Sequence, residues 1–593
     1  MKQTVSDKFQ PIPLESLAAW IFGELEQRNS VFGIPRESFF VPSAEDRFRG
    51  GLYGACLETP LGVAAGPHSQ MAQNIISAWL CGARFIELKT VQILDELQIP
   101  KPCIAIAGAG FNVEWSQELK LEQSFEEYLR AWVLIHVLHR VLEFPGDSPG
   151  VIFNMSVGYD LAGIRQPNMQ AFLRNMRDAS EHVHRARGVI ERCAPSAADI
   201  SVPAQISNSV TLSTMHGCPP DEIGRIAAEL MTEWRLHTSI KLNPTLLGPA
   251  RVREILVADP RTRELEVPDE AFEHDLHFDQ AVALVRELQG VASQSGTELR
   301  IKVSNTLEVT NPGILSAEES RVYMSGPPLH AVSVALASKL AETFPEGPDI
   351  SFCAGACADN IADLLAGGLY PVTVCTDLLK ARSYRRLGKY LAKLDEAMEA
   401  ADAADIPAYI RRAADRKDVR EAARRSLGAY AERAVAALAD VRERSKREKK
   451  TQVLPLFDCR DKCGICAGVC PNRAIQTYSP VAGEDTPSYD PQVAVFADFC
   501  NECGNCASVC PSGGKPYKEK PRLYLDRKQF EAEEANAFHV VRKNGVLSIQ
   551  ARSGGETCER ERPLTPALST AMLNLLRAFG DSLAYLPAED LET

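Results

Sequence analysis

At 593 residues, with 45% hydrophobic and 24% charged side chains, the chain has the balance of a soluble globular enzyme and the length for roughly three or four domains. A formal charge of −13, with no basic stripe interleaved with aromatics, excludes nucleic acid as the expected partner. The opening MKQTVSDKFQPIPLE has no apolar segment of the kind that targets export, and the longest apolar run, 132–142, is interrupted by His136, His139 and Arg140. A cytoplasmic protein is therefore expected, and the scatter of cysteines outside one short region suits a reducing compartment.

In chain order, residues 1–50 read as a partly helical lead-in wrapped on the main domain. From there to residue 380 a pattern repeats: a short β-branched run, a turn with Gly, Asn or Thr, then an amphipathic helical stretch. The runs are 61–66, 84–90, 151–157, 207–213, 238–244, 300–306, 349–355 and 371–377. Eight strands alternating with helices predict a parallel (β/α)8 TIM barrel over 51–380, with a doubly wound open sheet as the weaker alternative.

Active sites of such barrels lie at the C-terminal ends of the strands. Those ends carry Ala64, Ala65 and Gly66, then Lys89 and Thr90, then Lys241. Later ends carry Asn305 and Thr306, then Gly355, then Cys375 and Thr376. Small residues let backbone approach a flat ring or a phosphate, and two inward lysines stabilise negative charge on a reduced cofactor. A lone lysine at a strand end would read as a surface residue; two on β-branched strands with glycines opposite point to a cofactor pocket.

Residues 381–450 are rich in Ala, Arg, Glu and Leu at helical spacing, broken by Pro407, and read as a helical connector ending in a charged run at 442–450. Eight of the seventeen cysteines then fall within 451–515. The second group, Cys500, Cys503, Cys506 and Cys510-Pro511, has the C-x2-C-x2-C-x3-C-P spacing of two-cluster ferredoxins. The first, Cys459, Cys463, Cys466 and Cys470-Pro471, differs by one extra residue. In such runs the fourth cysteine crosses to the other cluster. That pairs Cys459, Cys463, Cys466 and Cys510 around one 4Fe-4S cluster, and Cys500, Cys503, Cys506 and Cys470 around the other. Two zinc sites are the competing reading, but zinc ribbons carry separated C-x2-C pairs rather than triplets followed by C-P. Residues 516–593 read as a small α+β unit, with strands near 523–525, 538–541 and 546–551 and a helix at 564–579.

The segments 59–66 and 82–90 resemble the opening of the dihydroorotate dehydrogenase barrel, and 324–329, 354–356, 366–368 and 374–376 resemble that family's phosphate-binding end. With a C-terminal pair of cubanes, the chain resembles the FMN and ferredoxin domains of dihydropyrimidine dehydrogenase. The run 208–220, NSVTLSTMHGCPP, is similar to selenate reductase-type subunits associated with purine catabolism. The resemblance implies FMN in the barrel mouth, with Ala65 and Gly66 along its ring system and Lys89 and Lys241 near its N1/O2 edge. Thr90 would adjoin the ring, and Gly355, Cys375 and Thr376 would hold the phosphate. Asn305 and Thr306 match a substrate-binding Asn-Thr pair. Tyr159-Asp160 falls where the pyrimidine enzymes have Tyr-Asn, so Asp160 would accept from a ring N–H or else cap a helix. Thr214 occupies the position of the family's catalytic cysteine. A threonine hydroxyl is a poor proton donor, which leaves Cys218 and His216 as candidate acids, each with a structural alternative.

The implied activity is reduction of a double bond in a pyrimidine- or purine-like heterocycle. Gly108-Ala109-Gly110 is too weak a match for a dinucleotide-binding turn, so electrons are expected from a separate NAD(P)H-oxidising flavoprotein or a ferredoxin-type carrier. An electron-transfer subunit that feeds a separate terminal reductase is the alternative.

Overall fold

A computed structural model describes residues 10–93, 99–107, 109–113, 117–158, 160–213, 218–315, 318–441, 453–459, 461, 463–480, 490–534, 536–543, 546–553, 556–558, 572, 574 and 575. The charged run at 442–450 lies outside the described residues, as does most of the helix expected at 564–579.

Eight parallel strands close into one barrel. They are β1 (Leu61–Val63), β2 (Phe85–Glu87), β3 (Ile152–Val157), β4 (Ser209–Leu212), β5 (His237–Leu242), β6 (Leu299–Val303), β7 (Ile350–Phe352) and β8 (Val372–Val374). Each pairs with the next in sequence, and β8 returns to β1 with Val372 opposite Leu61. Each of the eight expected runs overlaps one of these strands, with β5 and β6 starting one residue earlier than expected. The strands are short and largely buried because helices cover them outside and side chains fill them inside; all six residues of β3 are buried.

A second, antiparallel sheet is inserted at the C-terminal ends of the strands. It is built from Ile104–Ala107 and Ala109–Asn112, which follow β2, and from Leu307–Thr310 and Arg321–Ser325, which follow β6. After the barrel come helices Leu387–Ala400, Ile406–Ala414 and Val419–Ala436. Pro407 sits in the first turn of the middle helix, where its missing N–H costs nothing, and Asp405 caps that helix through the Ala408 amide at 2.6 Å.

The cysteine-rich region and the C-terminal strands share one six-stranded sheet in the order Ile475–Tyr478, Gln492–Phe496, Arg522–Tyr524, Ala537–Lys543, Val546–Ser553, Glu556–Cys558. The boundary expected near residue 515 therefore falls inside a sheet rather than between units. Among the described residues, no helix is long and apolar enough to cross a membrane.

The lead-in helix Leu14–Arg28 packs on the iron-sulfur side as well as on the barrel side. Trp20 lies 4.8 Å from the ring of Phe496 and 5.6 Å from that of Phe499, and its indole donates to buried Glu24 at 3.0 Å. The same carboxylate accepts from the amides of Phe32 and Gly33 and from Ser30 Oγ. Arg473, beyond the first cysteine group, donates to the Phe32 carbonyl. Trp20→Ala removes a buried anchor common to the lead-in and the sheet. We expect a loss of about 3–5 kcal/mol, read as a lower urea midpoint with the two regions unfolding at separate concentrations.

Candidate functional site

The ends of β1, β2, β5, β6, β7 and β8, together with the inserted sheet, enclose a cleft of about 1180 Å³ including its open mouth. Its lining contains Ala65, Gly66, Lys89, Thr90, Lys241, Asn305, Thr306, Gly355, Cys375 and Thr376. The structure thus gathers these ten sequence-derived positions around one space.

Glycines keep that space open. A Cβ on Gly66 would fall 3.1 Å from Cys375 Sγ, and one on Gly110 would fall 2.8 Å from Ser325 Oγ. At Gly326 and Gly355 the backbone has φ of +82° and +64°, and an added Cβ would meet Thr376 Cγ2 at 2.7 Å and the Gly326 carbonyl at 2.8 Å. Both positions need glycine for conformation and for space. Gly326 caps the helix Pro327–Thr343, whose N-terminus faces this end of the cleft. Pro327 and Pro328 carry no N–H, so that terminus contributes its positive field more than a row of donors. Ser325 and Thr376 add paired hydroxyls, 2.9 Å apart. Small residues along one wall, lysines at one edge and a polar, electropositive far end fit a flat ring with an anionic tail.

Beneath Lys241 lies a group that the sequence reading missed. Glu87 on β2 is fully buried, with Lys302 Nζ 2.8 Å from one carboxylate oxygen and Lys241 Nζ 3.8 Å from the other. Lys241 and Lys302 are register partners on β5 and β6, so both point into the barrel. Lys302 also donates to Thr373 Oγ1 at 2.6 Å. Burial raises the Glu87 carboxyl, but the two ammonium groups more than offset this and hold it below the usual carboxylate range. The alternation Phe85, Glu87, Lys89 was the available signal, since it puts the glutamate on the same face as the inward lysine.

The iron-sulfur region backs one wall of the cleft from outside. Cys103 and Ile104 line the cleft, and their amides both donate to the Cys503 carbonyl, at 3.0 and 2.8 Å. Asn505 donates to the carbonyls of Leu379, another lining residue, and of Val469. A chain of side-chain hydrogen bonds runs from Asn74 to Asn472, to Asn501 and then to Glu118, with steps of 3.0, 3.0 and 2.8 Å. Glu118 also lines the cleft and pairs with Lys101 at 2.6 Å. Burial raises this carboxyl too, and Lys101 more than offsets it.

Cys459, Cys463, Cys466 and Cys510 line a separate cavity of about 490 Å³ including its open side. Cys463 is exposed there and Cys459 partly so. Cys470, Cys500, Cys503 and Cys506 form the second group, all buried, with Cys500 and Cys506 within electrostatic range of Cys470. Among the described residues, no trio of His, Cys, Asp or Glu closes on a single-ion site. The four thiols of the first group stand around shared space, as a four-iron cluster requires.

Residues 32–427 match the family described as oxidoreductase YgfK, N-terminal TIM-barrel domain. The chain belongs to that family. Residues 458–514 match the 4Fe-4S dicluster domain, so the chain joins a TIM barrel to a ferredoxin-like domain. "Putative oxidoreductase YgfK" of Escherichia coli strain K12 and that of strain O157:H7 are each 41% identical over 411 residues, covering 66% of this chain and 39% of the relative. The chain thus spans about two fifths of the length of the curated relatives it matches. Among solved structures, a ligand-free type DHODH from Eimeria tenella aligns with a TM-score of 0.39 and 14% identity, covering 66% of this chain and 96% of that one.

Two other sequence-derived positions, Asp160 and Cys218, are not among the residues lining the cleft. Thr214 and His216 lie outside the described residues, as does Tyr159. Asp160 is exposed and accepts from the Gly163 amide at 2.7 Å, capping the short helix Leu161–Ile164. Cys218 is half-buried just before the helix Pro220–Thr232 and is not among the residues lining the cleft. Burial, with Glu222 and Asp160 nearby, pushes its thiol up to about 11. At pH 8 its thiolate population should be roughly a hundredfold below that of a thiol at the ordinary value. Peptide-resolved iodoacetamide labelling should therefore be correspondingly slow against added free cysteine, and should rise about tenfold per pH unit until it levels off near pH 11.

Proposed function

We propose that the chain is an FMN- and iron-sulfur-dependent oxidoreductase subunit that reduces a double bond in a pyrimidine- or purine-like heterocycle. Its electrons arrive through two 4Fe-4S clusters from a partner NAD(P)H-oxidising flavoprotein or a ferredoxin-type carrier. The observation that carries this reading is the wall shared by the cleft and the second cysteine group, where the Cys103 and Ile104 amides grip the Cys503 carbonyl.

FMN in the cleft would supply hydride transfer, and the clusters one-electron transfer. The residues divide the remaining work. Ala65 and Gly66 keep one wall flat and Thr90 adjoins it. Lys89 and Lys241 place positive charge at the edge where a reduced ring gathers electrons. Gly355, Cys375 and Thr376 receive the phosphate at the end kept open by Gly326. Asn305 offers an amide donor and acceptor, and Thr306 a hydroxyl, to orient a planar heterocycle. Cys470, Cys500, Cys503 and Cys506 hold the cluster nearer the cleft. Cys459, Cys463, Cys466 and Cys510 hold the outer one, whose exposed rim suits electron entry. The geometry favours a capping role for Asp160 over contact with substrate, and a thiol as weakly acidic as Cys218 is a poor donor near neutral pH.

Anaerobically purified protein should contain about one FMN per chain with about eight irons and eight sulfides. Mixing the dithionite-reduced protein with candidate heterocycles should restore the oxidised flavin band with the substrate ring, while NADPH alone should give no turnover. Full iron with no flavin would remove the FMN assignment. A flavin reoxidised by protein carriers but by no heterocycle would replace ring reduction with the electron-relay alternative. Asn305→Ala should retain flavin and lower kcat/KM for the ring about ten- to hundredfold, the loss of one or two hydrogen bonds.

A further inference from the structure

We propose that Glu87 is a positioning residue of the cofactor site: from under the cleft it holds Lys241 in place and fixes the net charge of the central barrel layer at one positive unit. The inference deepens the FMN reading and rests on it. Three separate strand ends meet at this carboxylate. Lys302 from β6 lies 2.8 Å away, Lys241 from β5 lies 3.8 Å away, and the Ala65 amide at the end of β1 is near enough to favour the ionised carboxylate. Of the two lysines, Lys241 lines the cleft, while Lys302 is 1% exposed and turned to Glu87 and Thr373. Glu87 thus touches both the wall expected along the ring and the cation expected at its edge, without lining the cleft itself.

Two unopposed ammonium groups beneath an electron-accepting ring would favour its anionic reduced form strongly. One carboxylate between them cancels half of that charge, and so limits how tightly the site grips the reduced ring relative to the oxidised one. The carboxylate stays ionised because its two partners outweigh its burial. A unit charge acting at this range in a dry layer shifts neighbouring ionisations by about one to three pK units, so an effect of at least tenfold is expected.

The test measures FMN affinity in both oxidation states, together with the flavin midpoint potential, on the full chain with its clusters. Glu87→Gln keeps the shape and removes the negative charge. It should raise the ratio of reduced to oxidised affinity about tenfold or more, an upward shift of about 30 mV for a two-electron couple. Lys302→Met should shift the ratio the opposite way, and the double variant should return close to the parent. That restoration is a result that lost packing alone would not produce. If Glu87→Gln does not fold, Lys302→Met and the double variant still give the comparison. Variants that bind FMN with the parent ratio overturn the proposal while leaving the FMN reading intact. A parent chain that binds no FMN overturns both.

Discussion

The carbonyl of Cys503 accepts two amide hydrogens from the strand that borders the barrel cleft, and the arrangement of the molecule follows from that contact. A backbone carbonyl buried at a junction needs donors, and the edge of the inserted sheet supplies them. The barrel therefore does not close its own mouth. Its strand ends form the floor and the inserted sheet a wall, and the loop bearing the second cysteine group packs behind that wall. The asparagine chain from Asn74 to Glu118 crosses the same junction, and it orients amides that would each be costly to bury unpaired. Separating the two halves would strip partners from all of these groups together.

Charge in the barrel obeys the same rule of mutual satisfaction. Lys302 is as deeply buried as the core aliphatic residues, which is tolerable only with a carboxylate and a hydroxyl against its ammonium. Arg84, at the entry to β2, is fully buried and met by Glu58 at 2.6 Å and by the Trp79 carbonyl at 2.7 Å. Both cations are shielded from solvent. Each of these buried cations is thus met by a carboxylate, and Lys241 and Lys89 are the ammonium groups that line the cleft.

Much of this was legible in the sequence because the relevant signals are local. Strand runs punctuated by Gly, Asn and Thr located all eight barrel strands, and cysteine spacing located the ferredoxin-like region. Strand-end residues came together because a parallel barrel puts all C-terminal ends on one side. What escaped was set by long-range pairing. Glu87 reads as one acidic residue in an apolar strand until β5 and β6 bring lysines to it. Glu118 and Cys103 sit in a stretch without strong periodicity, and only pairing with Arg321–Ser325 and contact with Cys503 bring them to the cleft. Asp160 has a local use as the cap of the helix that follows it, and Cys218 precedes a helix without lining the cleft.

The continuous sheet beyond the barrel bears on how such chains can be cut and joined. Gln492–Phe496, which follows the first cysteine group, pairs on one side with Ile475–Tyr478 and on the other with Arg522–Tyr524, past the last cysteine. Asp498, two residues before Cys500, accepts from the amides of Leu525 and Asp526. A fragment ending just after the cysteines would leave that strand with a bare parallel edge and a buried carboxylate without its donors. The cysteine motif is thus easy to recognise as a module, yet it is not portable: a fusion or transplant has to carry the later strands with it.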